Sequence, residues 1–189
     1  MGLLALLKKR NPPEHKVVSV ALAQKKISLL EEFKQEVAHL LSLLSYSTSH
    51  NGYYLTGGSG LSQIKTTSNN FSKLKTKYVQ KIIKSVQQIE KDIADLRGIS
   101  TPFAQREKKA LIYISSVGEE IHKACEDVDC AVEALEESIK TPTTTEASYK
   151  KYKEYIELAL SYLKDAETIT ENILEKTQQV IVLEKQLEK

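Results

Sequence analysis

Tryptophan is absent from this 189-residue chain, and phenylalanine (3), proline (4) and glycine (7) are sparse. So few turn-forming and bulky aromatic residues argue against the many short strands of a β-sandwich or barrel and favour long helices. Cysteine is down to two residues, Cys125 and Cys130, on one predicted helix. Their spacing matches neither a CxxC redox pair nor a disulfide framework, which leads us to expect a reduced, cytoplasmic setting. No run approaches the roughly 20 apolar residues of a spanning helix. The first ten residues are not expected to act as a signal peptide. Their apolar run is short, the basic cluster follows it, and no small-residue cleavage site comes after. Leu6 stands where myristoylation prefers Ser or Thr, so Gly2 is a poor acylation signal.

What the chain does have is charge, unevenly divided. Residues 1–97 carry 15 Lys+Arg against 7 Asp+Glu, a net of +8, and residues 98–189 carry 12 against 18, a net of −6. The formal total of +2 hides a basic half followed by an acidic one. Such polarity bears on partners and assembly rather than on fold. With 41% AVILMFWYC the chain is too apolar for disorder and long enough to bury a core.

Four helices are predicted. The first opens at Asn11-Pro12-Pro13-Glu14, a cap followed by proline, and carries Leu22, Leu29, Leu30, Phe33, Val37, Leu40, Leu41 and Leu44 at helical spacing. Residues 47–68, rich in Ser, Thr, Asn and Gly, read as a mobile loop. The second helix is expected from Asn69 or Asn70 to Gly98, with Phe71, Leu74, Tyr78, Ile82, Val86, Ile89, Ile93 and Leu96 inward. The third starts at Ser100-Thr101-Pro102 and buries Ile114, Val117, Ile121, Val128, Val132, Leu135 and Ile139. Thr143 and Glu146 suggest a capping box for the fourth, which presents Tyr149, Tyr152, Ile156, Leu160 and Leu163 and a narrower apolar face beyond Ala166. Helices of about 30–45 residues span about 45–65 Å. The expectation is an all-α, elongated helical bundle of about four long helices with coiled-coil-like hairpins. Residues 1–10 form an amphipathic N-terminal segment and residues 11–189 a single bundle domain.

Two Glu-x-x-His motifs, Glu36/His39 and Glu119/His122, raise a di-metal carboxylate site, because such bundles use two of these motifs on two helices. Helical angles oppose it. With Ile121 at the centre of the core face, His122 lies about 100° away and Glu119 about 160° away. No metal and no cofactor are expected. Cys125 faces the core without a basic neighbour in sequence, which favours a structural thiol over a nucleophile. Gly57-Gly58-Ser59-Gly60 lacks the Lys-Ser/Thr sequel of a phosphate loop. No catalytic residue is assigned, and no enzyme activity is expected.

The surfaces say more. Lys73, Lys77, Lys84 and Lys91 fall within about 40° of one another on the second helix, with Lys81 beside them. Glu119, Glu126, Glu133 and Glu137 align likewise on the third. Solvated faces are the plain reading. The alternatives are pairing between copies, or lysines on lipid or nucleic-acid phosphates. No aromatics interleave with those lysines, so nucleic acid is not the expected partner. At the N-terminus Leu3, Leu4 and Leu7 precede Lys8, Lys9 and Arg10. Against an anionic bilayer the leucines insert while each cation adds about 1 kcal/mol.

The Met1-Gly2-Leu3 start, the basic sequel, Pro12-Pro13-Glu14 before a long helix, and the basic-then-acidic halves together resemble ESCRT-III-type membrane-remodelling proteins. That resemblance implies a cytosolic helical monomer that polymerises on membranes, with Leu3, Leu4, Leu7, Lys8, Lys9 and Arg10 on the bilayer. It covers about 15 residues in detail. The first helix is less basic than that family's, and Val180, Leu183, Leu187 and Lys189 resemble its C-terminal ATPase-recruiting helix only loosely. The sequence therefore predicts a non-enzymatic assembly protein with peripheral membrane contact and a protein partner or second copy. The alternative is a soluble helical adaptor.

Overall fold

The computed structural model describes residues 12–49, 55, 57–95 and 101–186. Among these no strand occurs, and the order is α1 (Pro12–Ser49), α2 (Gly58–Leu74), a π segment (Lys75–Val79), α3 (Gln80–Asp95), α4 (Thr101–Lys140) and α5 (Glu146–Lys185). Because α2, the π segment and α3 run on without a break, the fold is an all-α bundle of four helices, as predicted. Pro12 opens α1 and Pro102 lies in the first turn of α4, where a missing N–H costs nothing. Thr141 closes α4, its N–H and Oγ1 both donating to the Glu137 carbonyl at 3.1 and 2.8 Å.

The cap of α5 differs from expectation. Thr145 N–H donates to Ser148 Oγ and Ser148 N–H to Thr145 Oγ1, each at 3.1 Å. Since the helix starts at Glu146, Thr145 is its N-cap and Ser148 the third helical residue, so the reciprocal box forms there and not between Thr143 and Glu146.

The expected loop over 47–68 is mostly helix. α1 runs to Ser49 and α2 begins at Gly58. Turn-rich composition misled because the hydroxyls are satisfied within the helix. Thr66 and Thr67 donate to the carbonyls of Ser62 and Gln63 at 2.9 and 3.0 Å. Meanwhile Gly60, Ile64, Thr67 and Phe71 are buried at alternating spacings of four and three. Leu55, also within the expected loop, is buried.

The same spacing governs the other helices. In α1 the buried positions include Ala23, Lys26, Leu30, Phe33, Val37, Leu40, Leu44 and Ser47, with Ile27 beside the seam also buried. In α4 they include Ile114, Val117, Ile121, Ala124, Val128, Ala131, Leu135 and Ser138. In α5 they run Ile156, Ala159, Leu163, Ala166, Thr170, Ile173, Thr177, Val180 and Glu184. A seven-residue burial repeat keeps one seam of each rod against its neighbours over many turns. It also corrects several expected core positions, among them Leu29, Leu41 and Leu160, which are half-buried. Ile139 is 50% exposed because the repeat selects Ser138, whose hydroxyl donates to the Leu135 carbonyl at 2.7 Å. Val132 is half-buried because Ala131 takes the seam. Tyr149 is exposed near the start of α5. Leu22, Val86, Ile89, Ile93 and Leu96 lie outside the described surroundings.

Contacts group the helices into two compact units. One takes α1 through Gln35, Thr76–Gly118 and α5 from Glu175. Here α1 and α5 are antiparallel, with Lys26 on Glu184, Glu31 on Lys185 and Lys34 on Gln178. Phe33 and Tyr78 meet with ring centroids 6.2 Å apart. Gly118 admits a close approach. A Cβ there would stand 3.1 Å from Val79 Cγ1 and 3.4 Å from Ile83 Cδ1. The other unit takes Glu36–Lys75 and Glu119–Leu174. In it α2 runs antiparallel to α4, with Lys65 on Glu136 and Lys75 on His122, and Thr48 of α1 donates to Glu167 of α5.

The first unit buries an ion pair, Lys26 Nζ donating to Glu184 Oε1 at 2.9 Å with side chains 7% and 0% exposed. Removing one partner of a buried pair strands the other charge, whereas replacing both by apolar groups does not. Lys26→Met or Glu184→Leu alone is expected to lose about 3–5 kcal/mol and the double variant much less than their sum, read from urea unfolding midpoints. Gly118→Leu is expected to lower the same midpoint by about 1–3 kcal/mol through overpacking against Val79 and Ile83.

Candidate functional surfaces

Of the described residues, the unit of α1 through Gln35, Thr76–Gly118 and the end of α5 carries 13 Lys+Arg against 9 Asp+Glu, net +4. The unit of Glu36–Lys75 and Glu119–Leu174 carries 9 against 15, net −6. The two signs are thus unequally shared between the units, although α1, α4 and α5 each contribute to both.

Lys73, Lys77, Lys81, Lys84 and Lys91 are all exposed, as are Glu119, Glu126, Glu133 and Glu137. The lysine alignment assumed about 100° per residue throughout, and the π segment Lys75–Val79 breaks that assumption. Lys73 therefore does not keep the angular register assumed with Lys84 and Lys91. Lys77 Nζ lies 4.7 Å from the centroid of the Tyr78 ring. Glu126 Oε1 lies 3.2 Å from His122 Nε2, and Glu137 accepts from Lys140 at 2.8 Å. The ties from α2 to α4 use other residues. Lys65 pairs with Glu136, Ser68 donates to Asp129, and Lys75 Nζ donates to His122 Nδ1 at 3.0 Å. The N-terminal candidates Leu3, Leu4, Leu7, Lys8, Lys9 and Arg10 lie outside the described residues.

Glu36, His39, Glu119 and His122 are all exposed. Among the described residues no three His, Cys, Asp or Glu side chains gather as metal ligands would. His122 is instead held between Lys75 and Glu126 on the surface. The space between Phe33, Val79, Ile114 and Val180 is about 10 Å³, room for no more than a water molecule.

One surface was missed by sequence reasoning. At the start of α5, Tyr149, Lys150, Lys151, Tyr152, Lys153, Glu154 and Tyr155 interleave rings with cations. Tyr149 and Tyr152 stack, with centroids 6.2 Å apart and planes 17° apart. Lys153 Nζ lies 4.9 Å from the Tyr149 centroid and Lys151 Nζ 5.7 Å from that of Tyr155. The interleaving was legible, but Tyr149 and Tyr152 had been assigned to the core by their spacing.

No protein-family model matches the chain, nor does any curated protein or solved structure. Among the described residues no helix is long and apolar enough to cross a membrane.

Both thiols are half-buried. Burial pushes Cys125 from its ordinary 9.0 up to about 11, with Asp129 and Glu126 adding to it and Lys75 opposing. Cys130 is raised by burial and then by Glu133 and other nearby acids. A thiol is the form that neither attacks carbonyls nor binds metal well. At pH 8, alkylation of Cys125 by iodoacetamide is expected to be about 100-fold slower than in the unfolded chain, since each pKa unit above ambient pH cuts thiolate tenfold. The unfolded chain ionises first, so Cys125 costs stability as pH rises from 9.0 to about 11. Mass-spectrometric rates across that range check both effects.

Proposed function

We propose that this chain is a non-enzymatic helical assembly protein that associates with anionic membrane surfaces and self-assembles. The observation that carries the reading is the division of charge between the two units, +4 and −6, with the lysines of the second helix exposed. A basic unit is drawn to an anionic bilayer at about 1 kcal/mol per cation near the surface. The acidic unit of one copy complements the basic unit of another. Such a contact is heterologous and repeats head to tail, giving filaments unless the rotation closes a ring. The leucines and cations of residues 3–10 supply an insertion element, and the resemblance to ESCRT-III-type proteins supports the same reading.

The reading makes salt its control variable, because contacts between exposed charges are screened beyond about 10 Å at 0.1 M salt. The intact chain is expected to sediment with phosphatidylserine vesicles at low salt and to be released at about 0.5 M salt. Deleting residues 1–10, or changing Lys73, Lys77 and Lys84 together to Glu, is expected to weaken binding roughly a hundred-fold. Failure of the intact chain to sediment at low salt, with and without residues 146–189, overturns the membrane reading and leaves a soluble helical adaptor.

A further inference from the structure

The buried seam of α5 continues past the point where it is covered. Seven residues before Ile156 and Ala159, the same two seam positions hold Tyr149, which is 41% exposed, and Tyr152, which is half-buried. Lys150, Lys151 and Lys153 surround them, all exposed, with Glu154 the one acid from Tyr149 to Tyr155. The net-negative unit thus carries a basic, aromatic face at the first turns of α5.

We propose that this face is a membrane-contact site, Tyr149 and Tyr152 lying at headgroup level and Lys150, Lys151 and Lys153 meeting the phosphates of an anionic bilayer. The proposal rests on the membrane reading above and places a contact within the described fold. Tyrosine with lysine is the pairing that interfacial sites favour, because each side chain has an apolar body and a polar tip. Within the face Lys150 pairs with Glu154 at 4.0 Å, which leaves a net charge of +2 from Tyr149 to Tyr155. Of the acids closest to the end of α4, Glu136 is held by Lys65 and Glu137 by Lys140. Glu133 lies about 6 Å further along the helix than Glu137. Glu146 occupies the first turn of α5, where the helix dipole favours an acid. A single-stranded nucleic acid is the poorer occupant. Base stacking needs open ring faces, and here Tyr149 is stacked on Tyr152 and lies under Lys153.

The absence of tryptophan makes the test direct. In the full chain, Tyr149→Trp is expected to shift its emission to the blue on adding phosphatidylserine vesicles and to stay unchanged with phosphatidylcholine. Two variants are expected to lose vesicle partitioning, Tyr149→Ser with Tyr152→Ser by roughly ten-fold, and Lys150, Lys151 and Lys153 all changed to Glu by roughly a hundred-fold. Their helical circular dichroism should be retained. If the intact chain sediments with vesicles while the tryptophan emission and both variants show no change, this site is wrong and the membrane reading stands. If the intact chain does not sediment, both fall. Binding of a single-stranded oligonucleotide lost in the lysine variant, without vesicle binding, also overturns it.

Discussion

Everything in this fold depends on a seven-residue repeat of burial. A helix of 38 or 40 residues cannot bury an apolar face alone, and α1, α4 and α5 are all of that length. Alternating three- and four-residue steps keep one seam in contact with neighbouring rods, so burial accumulates turn after turn. The repeat is indifferent to whether its residues are greasy. Lys26, Ser47, Thr67, Ser138, Thr170, Thr177 and Glu184 all occupy buried positions. Ser47, Thr67, Ser138 and Thr170 turn back to carbonyls of their own helix, and Lys26 meets Glu184.

A buried ion pair is often no more stabilising than apolar residues of similar volume, but breaking it is costly. A leucine seam accepts many registers with little change in energy. One lysine on α1 and one glutamate on α5 must meet, because each alone would be a stranded buried charge. The flanking ties, Glu31 with Lys185 and Lys34 with Gln178, are consistent with the same antiparallel register.

The outer faces follow a different logic. Their charges are free to vary without disturbing the seam, and they are distributed by unit, with a basic excess in one and an acidic excess in the other. This division suits electrostatic assembly, which gains from patches of one sign and is tuned by salt. The thiols are half-buried, with burial raising both, and the exposed His122 sits between Lys75 and Glu126.

Helix content, the proline-marked starts of α1 and α4 and most apolar seam positions were legible in the sequence, because spacing and caps are local. So were the exposed lysine and glutamate positions. Composition misjudged residues 58–68, since nothing local reveals that Thr66 and Thr67 satisfy themselves while Gly60, Ile64 and Thr67 fill a seam. Nor did spacing alone separate Ser138 from Ile139, or show that Tyr149 and Tyr152 continue a seam beyond its cover. The amino-acid order by itself determined that the chain forms long rods with one inward stripe, because helical periodicity is a property of neighbours three and four apart. Only the tertiary structure decided which stripe positions meet a partner, which polar residues are buried and how charge divides between the units, because those depend on contacts between helices far apart in the chain.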